Sequence, residues 1–324
     1  MLKKFMETCA GEKIFAGVDK VLIAVSGGAD SLALAELMKK SRRRFGLEIF
    51  IAHFEHGLRG QDSIDDADFV KKFSEAHEIQ FIGGSGDVKN FAAENKISVE
   101  TAARILRYEF LNKAKADLNC DAIALAHHAD DQAETILMRL LRGATSAGLS
   151  AMKFRTFSDD YGLLIRPLLR FRKVELENFC RKNNLSPRLD KTNFVPDATR
   201  NKIRLELIPT LEKFNPALVE TLCRLGEVTA EESEFISAQA QKIFPAVIKN
   251  NAIIRAEFLK LHPAIQRVVI KKFLAQVTGS IKDLGFVHLE GVRKVLLNDL
   301  SGVELPKNLR ADLRRGKLSI TKNF

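Results

Sequence analysis

Four short apolar runs, at residues 21–25, 47–53, 79–82 and 122–126, punctuate the first half of the chain, and a helical pattern fills each gap between them. The helical patterns cover 31–43, 65–77 and 99 to about 118, with Ser98 placed as an N-cap for the last. Short apolar strands separated by helices imply a parallel sheet with helices on both faces. A further extended segment is expected at 163–169, where Pro167 restricts it to a sheet edge or a strand end. Gly83-Gly84-Ser85-Gly86-Asp87 reads as a turn, and 173–182 as a helix. Asn215-Pro216 marks a boundary. Beyond it the pattern is helical at 217–244, 263–277 and 286–297, then ends in short strands at 303–305, 310–314 and 318–321, with Arg315-Gly316 as the turn. The expected architecture is α/β: a doubly wound, mostly parallel sheet in 1–215 and a smaller, mainly helical domain in 216–324 that closes with a short basic hairpin.

At 324 residues the chain exceeds the size at which a single core usually stops growing, which supports two domains. With 46% apolar and 28% charged residues it is globular rather than disordered. No apolar run reaches membrane-spanning length, and the first residues lack the apolar core of a secretory signal. Cys9, Cys120, Cys180 and Cys223 are far apart and form no Cys-x-x-Cys, which argues against a disulfide frame, a zinc knuckle or a paired-cysteine cluster and favours a reducing cytoplasm. The net charge of +10 suggests a polyanionic partner, and the tail carries Lys307, Arg310, Arg314, Arg315, Lys317 and Lys322 against Asp312.

The first apolar run leads directly into Ser26-Gly27-Gly28-Ala29-Asp30-Ser31 and then a helix. A strand, a Gly-rich turn and a helix start build a phosphate cradle, because the turn lets the backbone approach an anion and the helix end presents free N–H groups. The spacing fits neither a Walker loop nor a Rossmann turn. It resembles the pyrophosphate loop of the ATP pyrophosphatases. The second and fourth runs also end in polar groups, at His53-Phe54-Glu55-His56 and His127-His128-Ala129-Asp130-Asp131, so a site is expected beyond the strand ends.

In 127–135 two imidazoles meet three carboxylates, with Asp130 and Glu134 on one helical face and Asp131 and Thr135 on the next. Such a set can hold Mg²⁺, grip a cationic substrate or take a proton, and it can also simply complement a helix dipole. The two histidines lack the spacing of a helix-borne metal pair, so one is expected to pack inward and one to face the site. Glu100, Arg104 and Arg107 share a stripe that spacing alone assigns to a surface ladder. Asp190-Lys191-Thr192-Asn193 and the run from Thr199 to Arg204 form a second polar-basic cluster.

Together these segments resemble the tRNA(Ile)-lysidine synthetases of the PP-loop ATP-pyrophosphatase superfamily, whose domain is adenine nucleotide alpha hydrolase-like. The matching motifs are the Ser26 to Ser31 loop, His53-Phe54-Glu55-His56-Gly57-Leu58-Arg59 and the helix from Glu100 to Tyr108. They continue with His128 to Thr135, Leu141-Arg142-Gly143, Arg166-Pro167-Leu168 and Arg200 to Arg204, in family order across about residues 20–210. Glu55 stands where the family often has Asp or Asn, and Thr199 where an aromatic is common. The chain also looks like a short form, without the additional C-terminal domain of longer members.

The resemblance implies a ligase that uses ATP and L-lysine to convert the wobble cytidine of a tRNA(Ile) with a CAU anticodon to lysidine, releasing AMP and pyrophosphate. It implies ATP contacts at Ser26, Gly27, Gly28, Ala29, Asp30, Ser31, His53 and His128, and lysine contacts at Asp130, Asp131 and Glu134. Mg²⁺ would lie on Asp30 and Asp131, and the catalytic set would be Asp30, Arg104, Arg107, Asp131 and Arg204. Contacts with tRNA are expected from Arg142 and Arg200, and from Arg310, Arg314, Arg315 and Lys317 in the basic tail. A homodimer is compatible with the sequence. Three rivals share parts of the pattern: a tRNA-thiolating pyrophosphatase, which would need a sulfur-carrying cysteine; a non-catalytic tRNA binder with a relic loop; and a small-molecule amide-forming ligase, which would need no basic tail.

Overall fold

The structure, a computed structural model, describes residues 1–58, 60–188, 199–279 and 284–322. Arg59 of the histidine motif and Asp190-Lys191-Thr192-Asn193 lie outside the described residues. The first part of the chain runs α1 (Leu2–Gly11), β1 (Lys20–Ala24), α2 (Ala29–Phe45), β2 (Glu48–Glu55), α3 (Gln61–Ala76), β3 (Phe81–Ser85), α4 (Val88–Asn95), α5 (Val99–Asp117), β4 (Ala122–Ala124) and α6 (Ala129–Leu141). It continues through α7 (Ser146–Leu149), the hairpin β5 (Arg155–Ser158) and β6 (Gly162–Ile165), α8 (Lys173–Lys182), α9 (Thr199–Lys202), a π-helical turn (Ile203–Leu207) and α10 (Ile208–Glu212). The remainder comprises α11 (Leu218–Val247), β7 (Ile248–Lys249), β8 (Ala252–Ile254), α12 (Arg255–Phe258), α13 (Pro263–Thr278), α14 (Phe286–Leu297), β9 (Gly302–Leu305), β10 (Leu309–Arg314) and β11 (Lys317–Lys322).

These elements cluster into two compact units, one of Met1–Leu141 with Ala151–Arg224, the other of Arg142–Ser150 with Leu225–Phe324. The first is a six-stranded sheet in the order β3-β2-β1-β4-β6-β5, parallel except for β5. Alternate residues of its strands face opposite layers. Val21, Ile23, Ile49, Ile51, Ala122 and Ala124 pack with Leu32, Leu34 and Leu37 of α2, and with Leu176 of α8. Leu22, Phe50, Ala52, Ile123 and Leu164 pack with Tyr108, Leu111 and Ala114 of α5. This period of two, with both faces apolar, is why the strands appear in sequence as unbroken hydrophobic runs. Ser98 caps α5 by accepting from the Thr101 N–H.

One expectation is corrected, and another is decided between its two alternatives. Gly83, Gly84 and Ser85 belong to β3 rather than to a turn, and the chain bends only at Gly86-Asp87, where Asp87 caps α4. The glycines serve packing here: a Cβ on Gly84 would collide with the Phe110 ring, which occupies the space a side chain would need. The extended segment around Pro167 is the strand β6, which ends at Ile165 and pairs with β4 on one side and β5 on the other, so it is not an edge. Pro167 lies past its end, where no ladder N–H is required.

The second unit buries Phe258, Ile270, Phe273 and Leu274 with Val292, Val295 and Leu296 against a five-stranded antiparallel sheet, β7-β8-β11-β10-β9. The basic tail supplies its central hairpin, turning at Arg315-Gly316, both with positive φ.

Candidate active site

β1 leads into the loop that precedes α2. Gly27 has φ +91°, a region that excludes most side chains, and Gly28 is extended at the N-cap. The Ser31 hydroxyl donates to the Gly28 carbonyl at 2.9 Å and accepts from the Ser26 N–H at 3.1 Å, so it holds the turn closed. The Leu32 N–H makes the bond back to Gly28 O. Ala29, Asp30 and Ser31 therefore form the first turn, whose N–H groups have no helical acceptor. A cavity of about 760 Å³ opens onto this turn, with Ser26, Asp30, His53, Arg107, Arg188 and Arg204 in its wall. A smaller one of about 230 Å³ lies beside it, lined by Ala24, Ala52, Phe54, Leu125 and His127 among others. His53 is buried beneath the loop with Nδ1 2.8 Å from Val25 O, and burial lowers its pKa.

The carboxylates of α6 divide their work. His128 is 3% exposed and stands between three carboxylates, Asp130 and Asp131 of α6 and Asp30 of α2. Its Nε2 is 3.5 Å from both Asp30 Oδ2 and Asp131 Oδ2, and its Nδ1 is 3.5 Å from Asp130 Oδ2. Burial alone would lower its pKa, but Asp130, Asp30 and Asp131 outweigh that and push it up to about 10. His127, one residue earlier, is driven the other way, to about 4, by burial first and then by Arg166, Arg107 and Arg200, against the opposing pull of Asp131. At neutral pH one imidazole is therefore charged and its neighbour is not.

Asp130 faces His128 and is also tied to the start of α8. Its Oδ1 accepts from Arg172 Nε at 3.1 Å and its Oδ2 from the Lys173 N–H at 2.7 Å. Arg172 also binds Glu212 and Glu220. The grouping the structure makes is Asp131 with Glu134, not Asp130 with Glu134. Arg204 donates to both Glu134 oxygens, at 2.6 and 3.0 Å, and Arg200 Nε donates to Oε2 at 2.7 Å. Both arginines also reach Asp131 Oδ1, at 3.2 and 3.5 Å. The Glu134 side chain is 1% exposed. Arg204 enters from the π-helical turn, a distortion found often at functional sites.

The structure thus gathers Ser26, Gly27, Gly28, Ala29, Asp30 and Ser31 with His128, Asp130, Asp131, Glu134, Arg200 and Arg204. Arg200, expected among the tRNA contacts, is part of this cluster. Arg107 sits in the walls of both cavities, and its Nε is buried without a hydrogen-bond partner among the described residues. Arg104 is exposed, its guanidinium 4.9 Å from the Tyr108 ring centre, so no Glu100–Arg104 ladder is needed to hold it. Arg142 is exposed and falls in the second unit. There Arg310 pairs with Asp312, and Arg314, Arg315 and Lys317 are exposed at the hairpin turn.

Asp30 Oδ1 is buried and lacks a hydrogen-bond partner. Asp131 adds a second carboxylate across His128. No group of three or more ligating side chains forms a metal cage among the described residues. Two carboxylates with the remaining positions left to phosphates and water is the donor set Mg²⁺ ordinarily takes, so these residues fit that ion.

The raised His128 pKa has a measurable consequence. Its stabilisation is complete below the unfolded value of about 6.5 and is lost as the pH rises through about 10. The gap in urea midpoint between the parent chain and His128→Gln is expected to narrow steadily over that window; a constant gap would contradict the charged imidazole.

A PP-loop domain family matches residues 2–211. The tRNA(Ile)-lysidine synthase of Clostridium acetobutylicum is 35% identical over 316 residues, covering 96% of this chain and 68% of that one. The chain belongs to the tRNA(Ile)-lysidine synthase family. The Clostridium tetani and Clostridium perfringens members are 34% and 36% identical over 93% and 90% of this chain. The chain spans 65% and 62% of those two proteins' lengths. Among solved structures, the U34-tRNA thiolase NcsA from Methanococcus maripaludis, with its [4Fe-4S] cluster, superposes with a TM-score of 0.57. It is 19% identical and covers 71% of this chain and 80% of that one, a likeness of fold.

Sequence reading passed over several residues of the cavity wall in this family member. Lys173, Glu177 and Arg181 line it from α8, at a spacing of four that marks one helix face. Arg172 and Arg188 gave no signal, because their partners lie 42 and 122 residues away.

Proposed function

We propose that the chain is a tRNA(Ile)-lysidine synthase. It joins the ε-amine of L-lysine to C2 of the wobble cytidine in a tRNA(Ile) with a CAU anticodon. The observation that carries this reading is Asp30, which lies in the wall of the cavity at the phosphate loop and 3.5 Å from His128, whose Nε2 is equally near Asp131. Cytosine C2 is a poor electrophile. Its carbonyl oxygen attacks the α-phosphate of ATP, a new O–P bond forms and pyrophosphate leaves. The lysine amine then bonds to C2, loses a proton, and AMP departs with the oxygen.

Each resident group has a task in that sequence. The N–H groups at the start of α2 and the Ser26 hydroxyl receive the phosphates. Arg107 and Arg204 face the developing phosphate charge. Mg²⁺ bound to Asp30 and Asp131 would supply further neutralisation of the phosphates. Asp131 attracts the lysine ammonium, whose unperturbed pKa of about 10.4 means a base or a desolvating pocket must expose its lone pair before attack, and Glu134, bound on both oxygens by Arg200 and Arg204, holds those arginines beside Asp131. An anticodon-loop base is already unstacked, so no duplex need be melted. On this reading residues 1–215 carry the chemistry and 216–324 contact tRNA, in the cytoplasm.

Pyrophosphate release that requires tRNA, with AMP release that requires lysine as well, is the expected result with the purified chain. Pyrophosphate release supported by a sulfur donor instead of lysine would favour a thiolase, and none at all would favour a tRNA binder. The basic hairpin gives a second expected result. Replacing Arg314, Arg315 and Lys317 by alanine should weaken tRNA binding and flatten its dependence on log salt by roughly 0.7–0.9 for each phosphate no longer neutralised. An unchanged slope would remove the hairpin from the interface.

A further inference from the structure

Arg188 is fastened to the phosphate loop by its backbone and to the cavity by its side chain. Its N–H donates to Gly27 O at 3.0 Å, the carbonyl of the residue held at φ +91°. Its Cγ lies 3.9 Å from the position a Cβ on Gly27 would take, so the side chain starts directly over the loop. The guanidinium then reaches α3, where Nε donates to Asp66 Oδ1 at 2.9 Å and Nη2 approaches Asp65 Oδ2 at 3.8 Å. Both Arg188 and Asp66 line the 760 Å³ cavity, together with Ser26, Gly28 and Asp30. The Asp66 side chain is 11% exposed and that of Arg188 is 44% exposed. The carboxylate is therefore fixed, while the guanidinium has room to turn on an anchored backbone.

Other cations of the cavity wall are placed differently. Arg204 is committed to Glu134 and Asp131, Arg107 extends into the smaller cavity, and Lys173 and Arg181 come from α8. Among the described cations of that wall, Arg188 is the one hydrogen-bonded through its main chain to the loop itself.

We propose that Arg188 is a substrate-binding residue that exchanges Asp66 for the terminal phosphates of a nucleoside triphosphate seated on the loop. A triphosphate outcompetes a carboxylate because it carries more charge, while its oxygens suit the planar guanidinium equally well. The inference rests on the proposed ATP chemistry, with Asp66 acting as a holder that must be displaced.

The test is equilibrium binding of ATP, inorganic pyrophosphate and AMP to the full chain, in the parent and in Arg188→Gln, Arg188→Lys and Asp66→Asn. Arg188→Gln is expected to weaken ATP and pyrophosphate about 10- to 100-fold, with AMP unchanged. Arg188→Lys should recover part of the loss. Asp66→Asn should tighten ATP binding about 3- to 10-fold, because the cation no longer has to be released. If Arg188 merely pins α3 to the loop, Asp66→Asn breaks the same pin and weakens ATP as Arg188→Gln does, which overturns the proposal. So does a parent chain that binds ATP no better than Arg188→Gln. A parent chain that shows the expected series yet makes no lysidine leaves this role standing and overturns the lysidine reading alone.

Discussion

Asp30→Asn is expected to reduce lysidine formation by about 10²- to 10³-fold while leaving tRNA affinity unchanged. The carboxylate occupies the first turn of α2, between the free helix N–H groups and the α6 cluster, 3.5 Å from His128 Nε2. Its second oxygen is buried without a partner, so the energetic cost of holding it there is offset only when a cation or substrate arrives. Asparagine preserves volume and removes the charge. The substitution therefore reports on electrostatics rather than shape, and Asp30→Ala should behave similarly. Single-turnover assays with saturating tRNA read the effect at the chemical step. Full lysine incorporation by either variant would remove Asp30 from the mechanism.

Glu134→Ala has the second large effect, on stability as well as turnover. The side chain accepts from Arg200 and Arg204 on both oxygens and is almost wholly buried. Deleting it leaves two guanidiniums to share Asp131. Breaking a fully buried pair typically costs 3–5 kcal/mol; both arginines retain solvent access, so a loss of about 2–3 kcal/mol is expected here. Denaturant unfolding measures it directly. Activity should fall further than stability explains, because Asp131 is then drawn toward the arginines and away from His128. A variant with parental stability would mean that the arginines find other partners.

The elements came through in the sequence where a single physical rule decided them. Apolar runs became parallel strands, and Ser98 became an N-cap because its hydroxyl meets an open N–H. The phosphate loop was legible since its geometry depends on neighbours in the chain. Gly83 and Gly84 misled because glycine normally signals a turn, whereas here Phe81 and Phe110 fill the space above the strand. The division among Asp130, Asp131 and Glu134 was hidden for a different reason. Helical periodicity places residues on a face, but Arg172, Arg200 and Arg204 decide which face each acid uses, and those partners come from 42 to 70 residues away. Pairs of that kind, Arg188 with Asp66 among them, are created by the fold.

Nucleoside analysis by mass spectrometry of an unmodified tRNA(Ile) CAU transcript, after incubation with the purified chain, ATP and lysine, bears most directly on the whole account. The wobble cytidine should gain one lysine less one water, with one AMP released per modified tRNA. Consumption of ATP with the cytidine unaltered, or with sulfur in place of lysine, would contradict it.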